Sequence, residues 1–122
     1  MPLKPETIPP AQVRPWTVTT AGQIWLDHLL QTCVKNKVQV TILQPPCPPF
    51  VAEQRVKDKY YEDFHRYMEA LRERYPTLGL DVIEPKGYDL DDFADDHHLT
   101  PKGSKKLTAT IADWVLERYP KK

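Results

Sequence analysis

At 122 residues and 14.2 kDa the chain has the mass of one domain, and 40% hydrophobic with 28% charged residues at a mean hydropathy of −0.59 describes a globular protein. Lys and Arg number 17, as do Asp and Glu, so neither the basic excess of a nucleic-acid binder nor the acidic excess of a solvating tail is present. No stretch approaches the ~18 consecutive apolar residues of a membrane helix, and a single serine, Ser104, limits the hydroxyl chemistry available to the chain.

Residues 1–18 have prolines at 2, 5, 9, 10 and 15 and lack the apolar core of a secretory signal. They are expected to form a Pro-rich arm or linker ahead of an α/β part over 19–122. Thr20 and Gln23 have the spacing of a capping box and open a helix through AGQIWLDHLLQTCVKN. Ile24, Trp25, Leu29, Thr32 and Cys33 make an apolar stripe widened by Leu26 and Leu30, which predicts a largely buried helix. The β-branched run VQVTIL, Val38 to Leu43, predicts a central strand. Gln44 and the block Pro45, Pro46, Cys47, Pro48, Pro49 end it, because proline brings no amide hydrogen to a ladder.

From about Val51 to Tyr75 the residues Tyr60, Phe64, Tyr67, Met68, Leu71 and Tyr75 recur at three- and four-residue intervals, predicting one long amphipathic helix that Pro76 stops. Leu80 to Ile83 reads as a second short strand. The stretch 86–98 is polar, acidic and aperiodic, and is expected to be a loop. Thr100 as N-cap and Pro101 at the first helical position start a last helix, with Leu107, Ile111, Trp114 and Val115 on one face. This alternation implies an α/β fold with a small parallel sheet and helices on both faces. Two strands, or three if Val13 to Thr17 adds an edge, leave sheet edges and an apolar helix face uncovered, so self-association is expected.

Ligands of open parallel sheets bind beyond the carboxyl ends of the strands, which directs attention to the loops after Leu43 and Ile83. In the first, Cys47 has no sequence-adjacent base and is a poor nucleophile; Cys33 reads as a packed helix thiol. The second concentrates Asp89, Asp91, Asp92, Asp95, Asp96, His97 and His98 directly before a helix. Three readings compete for it. Asp residues serve turns and helix starts without further function. Asp and His together can hold a metal, but neighbouring loop side chains are expected to diverge, no HExxH spacing occurs and no second ligand cluster stands out. The third reading is the acid and base pair of a hydrolytic triad, in which a carboxylate fixes the tautomer of the histidine that serves as general base. Asp95 lies three residues before His98, whereas Ala94 lies three before His97, so Asp95 and His98 are the expected pair.

With its following amphipathic helix, the segment DDHHLTPKGSKKL resembles the last conserved block of the SGNH (GDSL-like) hydrolases, of the form Asp-x-x-His. Asp95, His98, Leu99, Thr100, Pro101 and Gly103 carry the resemblance. ILQPPCPPF after a helix and VIEP before the acidic loop are similar in kind to that family's strand-ending loops. The resemblance implies the C-terminal half of a flavodoxin-like domain, without metal or cofactor. The implied activity is that of an esterase or O-acyltransferase acting on an acyl ester or carbohydrate, with His98 as base and Asp95 as its orienting acid. The family's Gly-Asp-Ser nucleophile block and its oxyanion-hole blocks, Gly and Gly-x-Asn-Asp, do not occur here, and Ser104 reads as a helix-start residue. The expectation is therefore a chain that supplies the base arm of a site whose nucleophile block it lacks. The alternative is a catalytically inactive α/β module that binds a protein or carbohydrate partner. Trp16, Trp25, Tyr60, Tyr61, Tyr67 and Tyr88 are its stacking candidates, Tyr88 foremost.

Overall fold

A computed structural model describes residues 16–120; most of the Pro-rich arm, and most of the edge strand expected at Val13 to Thr17, lie outside the described residues. The elements are α1 (Thr20–Lys35), β1 (Thr41–Leu43), α2 (Pro49–Lys57), α3 (Tyr60–Arg74), β2 (Asp81–Ile83) and α4 (Pro101–Arg118), with 3₁₀ turns at Pro76–Leu78 and Leu90–Asp92. The fold is mixed helix and strand, with β1 and β2 in one parallel two-stranded sheet. Asp81 N donates to Val40 O at 3.2 Å, and Gln44 N donates to Ile83 O at 2.9 Å, which fixes the register at both ends. No helix among the described residues is long and apolar enough to cross a membrane.

Both strands are shorter than the β-branched runs suggest. Val38 does not extend β1 because it closes α1: Lys37 takes a left-handed conformation at φ 57°, Lys37 N donates to Val34 O, and Val38 N donates to Cys33 O at 2.9 Å. A side-chain-bearing residue in that conformation stores about 1 kcal/mol of steric cost. Lys37→Gly should therefore stabilise the protein by about 0.5–1 kcal/mol, read as a raised urea midpoint; an unchanged midpoint would show the cost to be relaxed.

The chain divides into two compact units. One comprises, among the described residues, 16–42 with 55–82 and holds the main apolar cluster: Leu30 from α1, Phe64, Met68, Leu71 and Tyr75 around α3, then Leu78 and Leu80. Trp16 packs on this cluster, with its ring 5.7 Å from Phe64 and 5.0 Å from Tyr67. The long helix expected over 51–75 is broken at Lys59, which is left-handed at φ 58° and separates α2 from α3. Val51 and Phe64 are both buried, yet thirteen residues is about 220° around a continuous helix. A straight helix could not turn both toward one core, and Val51 belongs to the other unit.

The expectation of a largely buried α1 is corrected. Only Leu30 is buried, while Ile24 is 54%, Trp25 74% and Leu29 58% exposed. The helix begins one residue earlier than expected, with Thr19 as N-cap accepting from Gly22 N at 2.9 Å. Gln23 is thereby released from a capping box. With Asp27 it forms a polar network on the inward face: Asp27 accepts from Arg74 at 2.9 Å, Tyr75 Oη at 2.8 Å and Gln23 Nε2 at 3.0 Å, while Tyr67 Oη donates to Gln23. Two polar residues on the packed face displaced the apparent apolar stripe toward solvent.

The Gln23 amide first, then Tyr75 and Arg74, hold the Asp27 carboxyl below the usual carboxylate range. A carboxyl lowered on folding stabilises the native state above its unfolded pKa and loses that contribution as pH falls through the folded value. Asp27→Asn should accordingly flatten the acid limb of stability against pH, with less proton uptake on unfolding as pH falls below the ordinary carboxylate range. Equal slopes for parent and variant in acid would remove Asp27 from that role.

Candidate acid and base site

The other unit comprises, among the described residues, 43–54 with 83–120 and carries the acidic loop. The stretch 86–98, expected to be a plain loop, is anchored at several points. Tyr88, Asp92 and Phe93 are buried, and Leu90–Asp92 forms a 3₁₀ turn closed by a capping box between Asp89 and Asp92. Asp92, with no exposed surface, accepts from Asp89 N at 2.8 Å and from Lys106 Nζ at 3.0 Å. The Asp89 amide first, and then Lys106 against the opposing effect of burial, hold its carboxyl below the usual range. Lys106 also donates to Gly87 O and stands 4.8 Å above the Tyr88 ring. Tyr88 therefore packs inside against Phe93, at 6.1 Å between ring centres, and the expectation that it offers a stacking surface is corrected.

Beyond Asp92 the chain makes a short reversal. Phe93 and Leu99 form an antiparallel bridge, Ala94 N donates to His98 O at 2.8 Å, and Thr100 N donates to Asp92 O at 2.9 Å. Thr100 caps α4, accepting from Gly103 N at 3.2 Å, and donates its hydroxyl to Asp91 O at 3.0 Å. The tip of the reversal, 94–98, thus stands on a fixed base.

Asp95 organises the tip. Its Oδ1 accepts from His97 N at 2.9 Å and His98 N at 2.6 Å, and its Oδ2 lies 2.7 Å from His98 Nδ1. The His97 amide first and the His98 ring next lower its carboxyl to about 2, so it is charged throughout the neutral range. A charged carboxylate only accepts, so in a neutral His98 ring this contact places the proton on Nδ1. The structure therefore brings the expected Asp95 and His98 side chains within hydrogen-bonding distance. The His98 side chain is 67% exposed.

His97, which sequence spacing set aside as a flank, has its own carboxylate: its Nδ1 lies 2.6 Å from Asp96 Oδ1 and 3.7 Å from Asp95 Oδ1, and its ring is 4.0 Å from that of His98. The expected divergence of neighbouring loop side chains does not occur. One donor atom each from Asp95, His97 and His98 lie within 4.8 Å of one another, and Asp89, Asp91 and Asp92 form a second such group. Lysines already pair with two members of that second group. Lys102 Nζ is 2.7 Å from Asp91 and 3.9 Å from Asp92, and Lys106 is on Asp92. Ser104 is exposed on the opening turn of α4, where its amide donates to Thr100 O at 2.8 Å. Cys33 and Cys47 are half-buried and lie in different units.

A model of one uncharacterised protein family matches residues 6–120. No curated protein and no solved structure matches the chain.

Proposed function

We propose, for a chain that belongs to the uncharacterised family matched across residues 6–120, that it supplies the general-base arm of an SGNH-like ester hydrolase or O-acyltransferase site. The observation behind this reading is the 2.7 Å approach of Asp95 Oδ2 to the Nδ1 of an exposed His98. The charged carboxylate fixes the tautomer and would stabilise the imidazolium formed when Nε2 takes a proton from a hydroxyl nucleophile. Asp-x-x-His before a Thr-capped, Pro-started helix, the loop position after β2 and the parallel pairing of β1 with β2 support the likeness to the C-terminal part of a flavodoxin-like SGNH domain. The nucleophile is a serine outside these 122 residues, and the substrate an acyl ester, with a carbohydrate ester as one form.

A fluorophosphonate probe and a short-chain nitrophenyl ester test this. The 122-residue chain should be neither labelled nor active, whereas the chain joined to a segment carrying a Gly-Asp-Ser block should be both. Robust labelling of Ser104 in the isolated chain would overturn the assignment of the nucleophile.

The apolar stripe of Ile24, Trp25 and Leu29 on α1 supports a second reading, a non-catalytic module that associates with a second copy of itself. Sedimentation velocity over a concentration series should then reveal a dimer that Trp25→Glu dissolves. A monomer at all concentrations would discard this reading.

A further inference from the structure

We propose that Asp95, His97 and His98 form a binding site for a borderline divalent cation of the zinc class, independent of the catalytic reading. Two imidazoles and one carboxylate are a donor set that zinc or cobalt accepts and that calcium or magnesium, which prefer oxygen alone, does not. The three donor atoms already lie within 4.8 Å of one another. Tetrahedral zinc with bonds of about 2.0–2.1 Å separates its ligands by about 3.3 Å. Asp95 Oδ1 lies 3.7 Å from His97 Nδ1 and Asp95 Oδ2 lies 2.7 Å from His98 Nδ1, so occupancy asks the two rings and one carboxylate oxygen to turn onto the ion in place of their present hydrogen bonds.

The backbone is set for it as well. Asp95 Oδ1 takes the amides of both histidines, which holds the three residues in one tight turn whether or not the rings move. Asp96 now stands 2.6 Å from His97 Nδ1 and would release that nitrogen to the ion, leaving a second negative charge nearby. By contrast the Asp89, Asp91, Asp92 group has its cation places taken by Lys102 and Lys106 and would bind no metal. Ligation at Nδ1 of a neutral imidazole moves the ring proton to Nε2 through solvent, without net proton release. The remaining coordination position is open to water. A bound ion and the use of His98 as a base exclude one another, so the site would also gate the proposed chemistry.

The test uses the full 122-residue chain, with Zn²⁺ titrated calorimetrically and Co²⁺ followed by its visible absorption. One ion should bind per chain. His97→Ala and His98→Ala should each weaken binding by at least about tenfold, the size of effect that even outer-shell partners of a metal have, and Asp91→Asn and His28→Ala should leave it unchanged. Both ring side chains are largely exposed, so the variants retain the fold. Absence of binding, or binding that survives the His97 and His98 double substitution, overturns the site. Because His97→Ala keeps the Asp95–His98 pair, it separates this inference from the catalytic one: ester turnover by the completed enzyme should persist in the variant that no longer holds zinc.

Discussion

In the enzyme completed by a Gly-Asp-Ser segment, His98→Ala should lower ester turnover by about 10²–10⁴-fold, the range over which a positioned general base contributes. Asp95→Asn should fall in the same range. Its amide could still accept the backbone N–H groups of His97 and His98, but an NH₂ group facing His98 Nδ1 would force the opposite tautomer and present Nε2–H to the nucleophile. The Asp95 carboxyl is charged down to about pH 2, so the acid limb of the rate profile is not its titration. His97 is a neighbouring candidate, since its ring lies 4.0 Å from that of His98 at a 45° tilt and has its own carboxylate in Asp96. His97→Ala should change kcat/KM by no more than about threefold, far below the general-base range. A His98→Ala variant as active as its parent would remove His98 from the mechanism. Activity lost only in the double variant would instead mean that His97 and His98 can each serve as the base.

The parts of the molecule that were legible in the sequence are those where local chemistry decides. Thr100 and Pro101 mark the start of α4 because capping and a missing amide act within one turn. The Asp95 and His98 pair is likewise local, three residues apart on one reversal. What escaped the sequence depends on which face a neighbour covers. The α1 stripe was assigned to Trp25 and Leu29, but the packed face carries Gln23 and Asp27, whose polarity is satisfied by Arg74, Tyr75 and Tyr67 from nearly fifty residues away. The break at Lys59 carries no Gly or Pro signal, and Val51 and Phe64 on either side of it belong to different units.

The acidic loop illustrates the same limit at the site. Counting residues pairs Asp95 with His98, yet it cannot say that Asp95 also gathers the amide of His97, or that Asp96 turns to His97. Nor does the run of Asp distinguish Asp92 from its neighbours. Its burial and its bond to Lys106, fourteen residues on, come from the packing of the 3₁₀ turn against α4. A stretch with no helical or strand period can still be firmly held, because its contacts run to another element and leave no trace in periodicity.

That packing makes Gly103→Ala the substitution with the largest expected effect on stability, about 3 kcal/mol, at the upper end of overpacking costs. A Cβ on Gly103 would meet Asp92 O at 2.2 Å, Asp92 C at 3.0 Å and Leu99 Cδ2 at 3.0 Å. The first two are backbone, and neither side can yield cheaply. Asp92 is held by its own side chain on Asp89 N and Lys106, and its carbonyl accepts from Thr100 N. Moving α4 away instead would open the Thr100 hydroxyl bond to Asp91 O and loosen the Phe93–Leu99 bridge on which the 94–98 tip stands. The lesion should therefore reach the site: in the completed enzyme turnover should fall together with the urea midpoint, although residue 103 touches neither Asp95 nor His98. Gly87→Ala supplies the control, since nothing lies within 4 Å of its added Cβ and only its φ of 79° is strained; its cost should be about 1–2 kcal/mol with turnover intact. A Gly103→Ala variant with the parent's midpoint would mean that α4 does not pack on the Asp92 carbonyl, and the fixed footing of the acid and base pair would fall with it.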